Sequence, residues 1–165
     1  LNLILGHSIG KKNMEKATFG AGCFWGIEYA FRKVDGVKEA YVGYAGGGTP
    51  NPTYQQVCSG QTGHAEVVQV EFNPDEVTYE ELLEVFWTIH DPTTLNSQGP
   101  DIGTQYRSAI YFHSLEQEAS IKSSVLFEEE SGKFKNPIVT EIAPFDTFYM
   151  GEDYHQKYFE KQGRH

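Results

Sequence analysis

The chain has 165 residues, 39% hydrophobic and 22% charged, with 13 Lys and Arg against 23 Asp and Glu and a formal charge of −10. That length suits one domain burying roughly 68–70% of its unfolded surface. No apolar run approaches the ~20 residues of a membrane span, and the acidic balance removes the broad cationic surface that nucleic-acid binding needs.

Cys23 and Cys58 are the two cysteines, too few for a disulfide framework and not a CxxC pair. Together these features predict a soluble, cytoplasmic protein; it is expected to be a monomer. Leu1 opens the chain and Met14-Glu15-Lys16 has the form of a natural start, so residues 1–13 are read as a tag or extension and 14–165 as a single domain. The apolar piece Leu3-Ile4-Leu5 is too short for a signal peptide.

A strand is predicted at Ala17–Ala21, then a helix from Cys23 to about Val34 with Gly36 as its stop. Val37–Ala45 reads as a second strand. The Gly- and Pro-rich stretch 46–52 is a loop, followed by a helical turn at Tyr54–Cys58. Val68, Val70 and Phe72 alternate as in a strand. Thr78-x-x-Glu81 forms a capping box, with Val77 and Leu82 placed as a hydrophobic staple for the helix that follows. Ser108–Phe112 reads as a strand, Ser114–Glu130 as a helix and Ile138–Ala143 as a last strand. The resulting order, β-α-β-β-α-β-α-β, predicts an α/β (α+β) two-layer sandwich, with a ferredoxin-like β-α-β-β-α-β core and an added helix and strand. Two segments fall outside that scaffold: the aperiodic connection Asp91–Tyr106 and the aromatic tail Phe145–Tyr158. Such segments in small domains commonly carry function.

Cys23 sits where a strand hands over to a helix. Unpaired backbone N–H groups and the helix dipole favour a thiolate there, which predicts a lowered thiol pKa; a small buried core cysteine is the competing reading. Glu66 opens a strand after the Gly-rich loop. It reads either as a solvated strand residue or as a partly desolvated carboxylic acid able to donate a proton. Tyr54 and Tyr106 lie in irregular segments, and Asp101 reads as a turn residue. The six histidines show no paired ligand spacing, so no metal site is expected. A Cys23–His64 thiol hydrolase dyad stays open if the fold joins them.

Six separated motifs carry a resemblance to the class A peptide methionine sulfoxide reductases: Gly22-Cys23-Phe24-Trp25-Gly26, Val42-Gly43-Tyr44-Ala45-Gly46-Gly47, Asn51-Pro52-Thr53-Tyr54, Thr62-Gly63-His64-Ala65-Glu66, residues 101–108, and Glu152-Asp153-Tyr154-His155-Gln156. The resemblance implies reduction of the S epimer of methionine sulfoxide, free or in proteins, as a repair activity. It implies Cys23 as nucleophile and Glu66 as proton donor. Tyr54 and Tyr106 would bind the sulfoxide oxygen with Asp101 in support, and Phe24, Trp25 and Tyr154 would bind substrate.

The product on the enzyme would be a Cys23 sulfenic acid that needs reduction. No bound cofactor is expected, only an outside thiol, from thioredoxin or from glutathione with glutaredoxin. The tail Lys161-Gln162-Gly163-Arg164-His165 lacks the resolving cysteine of many relatives, leaving Cys58 as the one internal candidate. A redox sensor oxidised once without turnover is the non-enzymatic alternative.

Overall fold

A computed structural model describes residues 14–163, so the expected extension at 1–13 lies outside the described residues. In chain order the elements are β1 (Glu15–Ala21), α1 (Phe24–Arg32), β2 (Val37–Ala45), α2 (Tyr54–Cys58), β3 (Ala65–Phe72), α3 (Tyr79–Thr88), β4 (Ser97–Gln98), β5 (Asp101–Ile102), β6 (Ser108–Phe112), α4 (Leu115–Glu130), β7 (Glu141–Pro144), β8 (Phe148–Met150) and α5 (Tyr158–Lys161). Six strands form one sheet in the order β7-β6-β1-β3-β2-β8. All its pairs are antiparallel except β6 with β7. The protein is a mixed α/β domain, as expected.

The period-2 pattern of the strands sends one set of side chains toward the helices. Ala17 and Phe19 of β1 lie opposite Val70 and Val68 of β3, which lie opposite Ala40 and Val42 of β2. Phe19 stacks on Phe31 of α1 at 4.9 Å and on Phe86 of α3 at 5.3 Å, all three fully buried. Each such side chain contributes about 1.5–3 kcal/mol of burial free energy. The Thr78 capping box forms with both bonds: Glu81 N–H donates to Thr78 Oγ1 at 3.1 Å, and Thr78 N–H to Glu81 Oε1 at 2.9 Å.

Several boundaries differ from expectation: β1 begins at Glu15 and β3 at Ala65, each earlier than its pattern shows. α1 ends at Arg32, because the Lys33 and Val34 amides bond three residues back to Ala30 and Phe31 carbonyls, tightening the last turn. β7 runs Glu141–Pro144 instead of beginning at Ile138, because the Val139 amide donates to the Pro92 carbonyl at 2.8 Å and not to the sheet. A further strand, β8, then adds to β2 beyond the strand expected to be last.

The two irregular segments are built. Within residues 91–106, β4 pairs with β5 as a small ribbon and Thr104–Tyr106 forms a 3-10 turn. The tail divides its aromatics. Phe145 and Phe148 cover the reverse face of the sheet over Ala65, Val67, Ala109 and Tyr111, while the residues after 151 turn toward α1. Past β8, the Gln156 carboxamide accepts from Val42 N–H at 3.0 Å and donates to Val42 O at 2.9 Å.

Candidate active site

Cys23 is the N-cap residue of α1 and is partly exposed. Gly22 before it has φ +94°, and a Cβ there would meet the Gln98 side chain of β4 at 2.8 Å. The chain therefore needs glycine to bring the ribbon against the thiol. The N–H groups of Trp25 and Gly26 bond the Cys23 sulfur and lower its pKa. Burial outweighs them, and with the nearby carboxyl groups of Glu66 and Asp101 pushes the thiol up to about 11. The expected lowering is therefore corrected: the backbone donors are present, but desolvation and two acidic neighbours prevail.

Glu66 lies at the start of β3 with 1% exposure, opposite Tyr44 of β2. Its Oε1 accepts from Phe24 N–H at 3.2 Å, whereas Oε2 is buried without a protein partner among the described residues. Burial raises its pKa to about 7, against the lowering effect of Phe24 N–H and with a further rise from Asp101. A carboxyl with one oxygen satisfied and the other buried and unpartnered is poised to hold a proton and offer it to an incoming acceptor.

Tyr54 and Tyr106 approach the same pocket from α2 and the 3-10 turn. Burial, foremost, and the charge of Glu66 raise the pKa of both, to about 12 for Tyr106, so both phenols are donors at neutral pH. The Tyr54 hydroxyl donates to the Cys58 sulfur. Asp101 stands in β5, within electrostatic reach of Cys23, Glu66 and Tyr106. The fold thus gathers Cys23, Glu66, Tyr54, Tyr106 and Asp101, and brings Cys58 to their edge.

The aromatic wall comes from α1 and the tail. Phe24 is fully buried, its ring 5.7 Å from Tyr44, 6.3 Å from Tyr54 and 5.1 Å from His155. Trp25 stacks on Tyr158 at 3.8 Å, nearly parallel, and its Nε1–H donates to His155 Nδ1 at 3.0 Å. That bond makes His155 the Nε2–H tautomer, with Nε2 buried and without a partner among the described residues. Tyr154 lies largely exposed over His155, with ring centroids 4.1 Å apart.

Sequence reasoning gave no role to His155 or to Glu152, whose carboxylate accepts from the Tyr44 hydroxyl at 2.7 Å and Tyr54 N–H at 2.9 Å. The signal available was their place in the Glu152–Gln156 motif. His64 is not joined to Cys23 by a hydrogen bond. Its Nδ1 accepts from Gly47 N–H and its Nε2 donates to Thr49 O, so both nitrogens hold the Gly-rich loop. The hydrolase dyad therefore has no free base. No cluster of three or more His, Cys, Asp or Glu able to hold a metal occurs among the described residues.

Comparison with known proteins bears on the chain as a whole. The family model described as peptide methionine sulfoxide reductase matches residues 15–165. The peptide methionine sulfoxide reductase MsrA of Methanothermobacter thermautotrophicus is 63% identical over 150 residues, covering 91% of this chain and 89% of its own length. Reduced Mxr1 from Saccharomyces cerevisiae superposes with a TM-score of 0.82 at 43% identity, over 93% of this chain and 88% of that one. Mxr1 in complex with Trx2 gives a TM-score of 0.59 at 33% identity, over 89% and 86% of the two chains. With a thiol, a buried carboxylic acid and two phenols in one pocket, and with matches of this extent, the chain belongs to the peptide methionine sulfoxide reductase family.

Proposed function

We propose that this enzyme reduces the S epimer of methionine sulfoxide, free or in polypeptides, to methionine through a sulfenic acid on Cys23. The observation that carries the reading is Glu66: buried, with a pKa near 7 and an unpartnered Oε2 beside the Cys23 thiol. A sulfoxide oxygen is a poor leaving group unless protonated. Glu66 gives its proton to that oxygen, assisted by donation from Tyr54 and Tyr106, while the Cys23 sulfur attacks the sulfoxide sulfur. The thiol proton replaces the one Glu66 gave. Given that second proton, the oxygen leaves as water and the S–O bond breaks, with methionine held to Cys23 through the new sulfonium S–S bond. Water then attacks the Cys23 sulfur and returns a proton to Glu66. The S–S bond breaks, methionine leaves, and Cys23 carries S–OH. One apolar slot for the methyl group against Trp25 and one polar slot for the oxygen set the epimer. The opposite epimer would press an unpaired polar oxygen on the indole, costing about 1–3 kcal/mol.

The sulfenic acid is returned to thiol by an outside dithiol, which is oxidised to its disulfide with release of water. The Mxr1–Trx2 complex supports a thioredoxin as that dithiol; glutathione with glutaredoxin supplies the same chemistry. The place of Cys58 at the edge of the site, beside Tyr54 and Tyr106, supports a second route. In it Cys58 attacks first, water leaves, and a Cys23–Cys58 disulfide goes to the reductant.

A single-turnover experiment without reductant tests both. Each epimer is given separately to the reduced protein, and methionine release and the mass of the Cys23 peptide are read together. One methionine per enzyme from the S epimer alone, with a trapped sulfenic acid, is the expected result. A Cys23–Cys58 disulfide selects the second route, and no methionine from either epimer overturns the reading.

A further inference from the structure

Glu152 ties the tail to the pocket without belonging to its reacting set. Its two carboxylate oxygens each accept one hydrogen bond, from the Tyr44 hydroxyl at 2.7 Å and from Tyr54 N–H at 2.9 Å. These donors come from different parts of the chain. Tyr44 is a fully buried residue of β2, opposite Glu66. Tyr54 is the first residue of α2, a helix of only five residues. The Thr53/Gln56 capping box already satisfies the Thr53 and Gln56 amides of that turn. The Tyr54 amide is left for Glu152, which ties the start of the short helix to the floor of the site.

We infer that Glu152 is a positioning residue that fixes the Tyr54 phenol over the Cys23–Glu66 pocket by clamping the Tyr54 backbone to Tyr44. The inference rests on the proposed sulfoxide chemistry, in which that phenol holds the departing oxygen. Both contacts are donated to a carboxylate, so both are charge-assisted. A glutamine in the same place keeps the Tyr54 N–H only through its oxygen and meets the Tyr44 hydroxyl only by donating to it, so both bonds lose that charge. Burial works against the charge of Glu152, but its hydrogen bonds from Tyr54 N–H and the Tyr44 hydroxyl hold its carboxyl below the usual range, so the clamp stays ionised at neutral pH. The carboxylate acts through Tyr54 and need not touch substrate.

Two readouts on the full chain test this. First, Glu152→Gln lowers kcat of the reductive step about tenfold with KM within twofold, and adds nothing further in a Tyr54→Phe background. An equal loss in both backgrounds, or a change confined to KM, overturns the inference. Second, hydrogen exchange at the Tyr54 amide, slow in the parent protein, speeds up in Glu152→Gln; unchanged exchange overturns it independently of any activity. Should Glu152→Gln not fold, Tyr44→Phe removes one arm of the clamp and should lower kcat about threefold, again only while the Tyr54 hydroxyl is present. Loss of the same size without that hydroxyl overturns the clamp. An inactive parent protein with the exchange result intact would sink the sulfoxide reading and leave the clamp standing.

Discussion

The site has a sheet-borne half and a loop-borne half. Cys23, Tyr44 and Glu66 belong to, or directly follow, strands β1, β2 and β3 in the middle of the sheet, where Tyr44 and Glu66 are buried and locked in register. Tyr54, Asp101, Tyr106, His155 and Tyr158 come from short helices, a two-stranded ribbon, 3-10 turns and the tail. The sheet half holds the groups whose protonation burial shifts the most usefully for chemistry at neutral pH, Glu66 above all. The loop half holds the groups that shape the pocket. Rigid, desolvated strands tune acids; long connections supply walls and donors that must fit a substrate.

The largest effect is expected in the sheet half. Glu66→Gln should slow the reductive step by about 10²–10⁴, read as methionine released in a single turnover. In the parent protein that step should fall as pH rises through about 7, where Glu66 loses its proton; a rate flat from pH 6 to 9 counts against Glu66 as the acid. The same shift has a stability counterpart. The folded state holds this proton more tightly than the unfolded chain, whose carboxyl titrates near 4.5, so the stability it supports is complete below pH 4.5 and is lost as pH rises through about 7. About 3 kcal/mol separates the two limits. Denaturant titrations should show Glu66→Gln free of this loss and more stable than the parent at pH 8.

For the aromatic wall of the loop half, as distinct from its two phenols, the effects should be smaller and should appear in substrate binding. His155→Phe removes the acceptor of the Trp25 indole and should raise KM for the S epimer about tenfold, with kcat changed less. Tyr158→Ala removes the ring stacked on Trp25, an interaction worth about 0.5–1.5 kcal/mol, and should raise KM about two- to tenfold. If either variant instead lost kcat at constant KM, the aromatic wall would not be a binding surface. At the bottom of the scale, Thr78→Ala breaks the α3 capping box remote from the chemistry. It should cost about 1 kcal/mol of stability by denaturant titration and leave kcat/KM unchanged.

The same division explains what could be read in the sequence. The elements that repeat a period were legible: Val37–Ala45, Tyr54–Cys58 and Ser108–Phe112 form where the pattern and breakers put them, and the Thr78 box closes as written. Elements without a period were not. β4 and β5 have two residues each and β8 has three, too few for alternation to show. The Cys23 pKa also ran against local reasoning, because the helix terminus is visible in the sequence while burial and the approach of Glu66 and Asp101 are properties of the assembled fold. Likewise the Trp25–His155 bond spans 130 residues of chain, and no spacing rule reaches that far. Only the resemblance of whole motifs pointed to that end of the protein.

The Gln156 carboxamide has a consequence for how the molecule behaves among its own copies. β8 covers β2 for only three residues, and beyond it Val42 would present an open N–H and C=O, the template on which strands of neighbouring molecules pair. Gln156 offers a side-chain amide with the donor and acceptor of a peptide group, meeting both, and the Gly151 amide adds a second bond to the same carbonyl. One side chain and one backbone amide thus finish the sheet just past β8. They withhold this stretch of β2 from aggregation while leaving the tail free to turn toward the pocket.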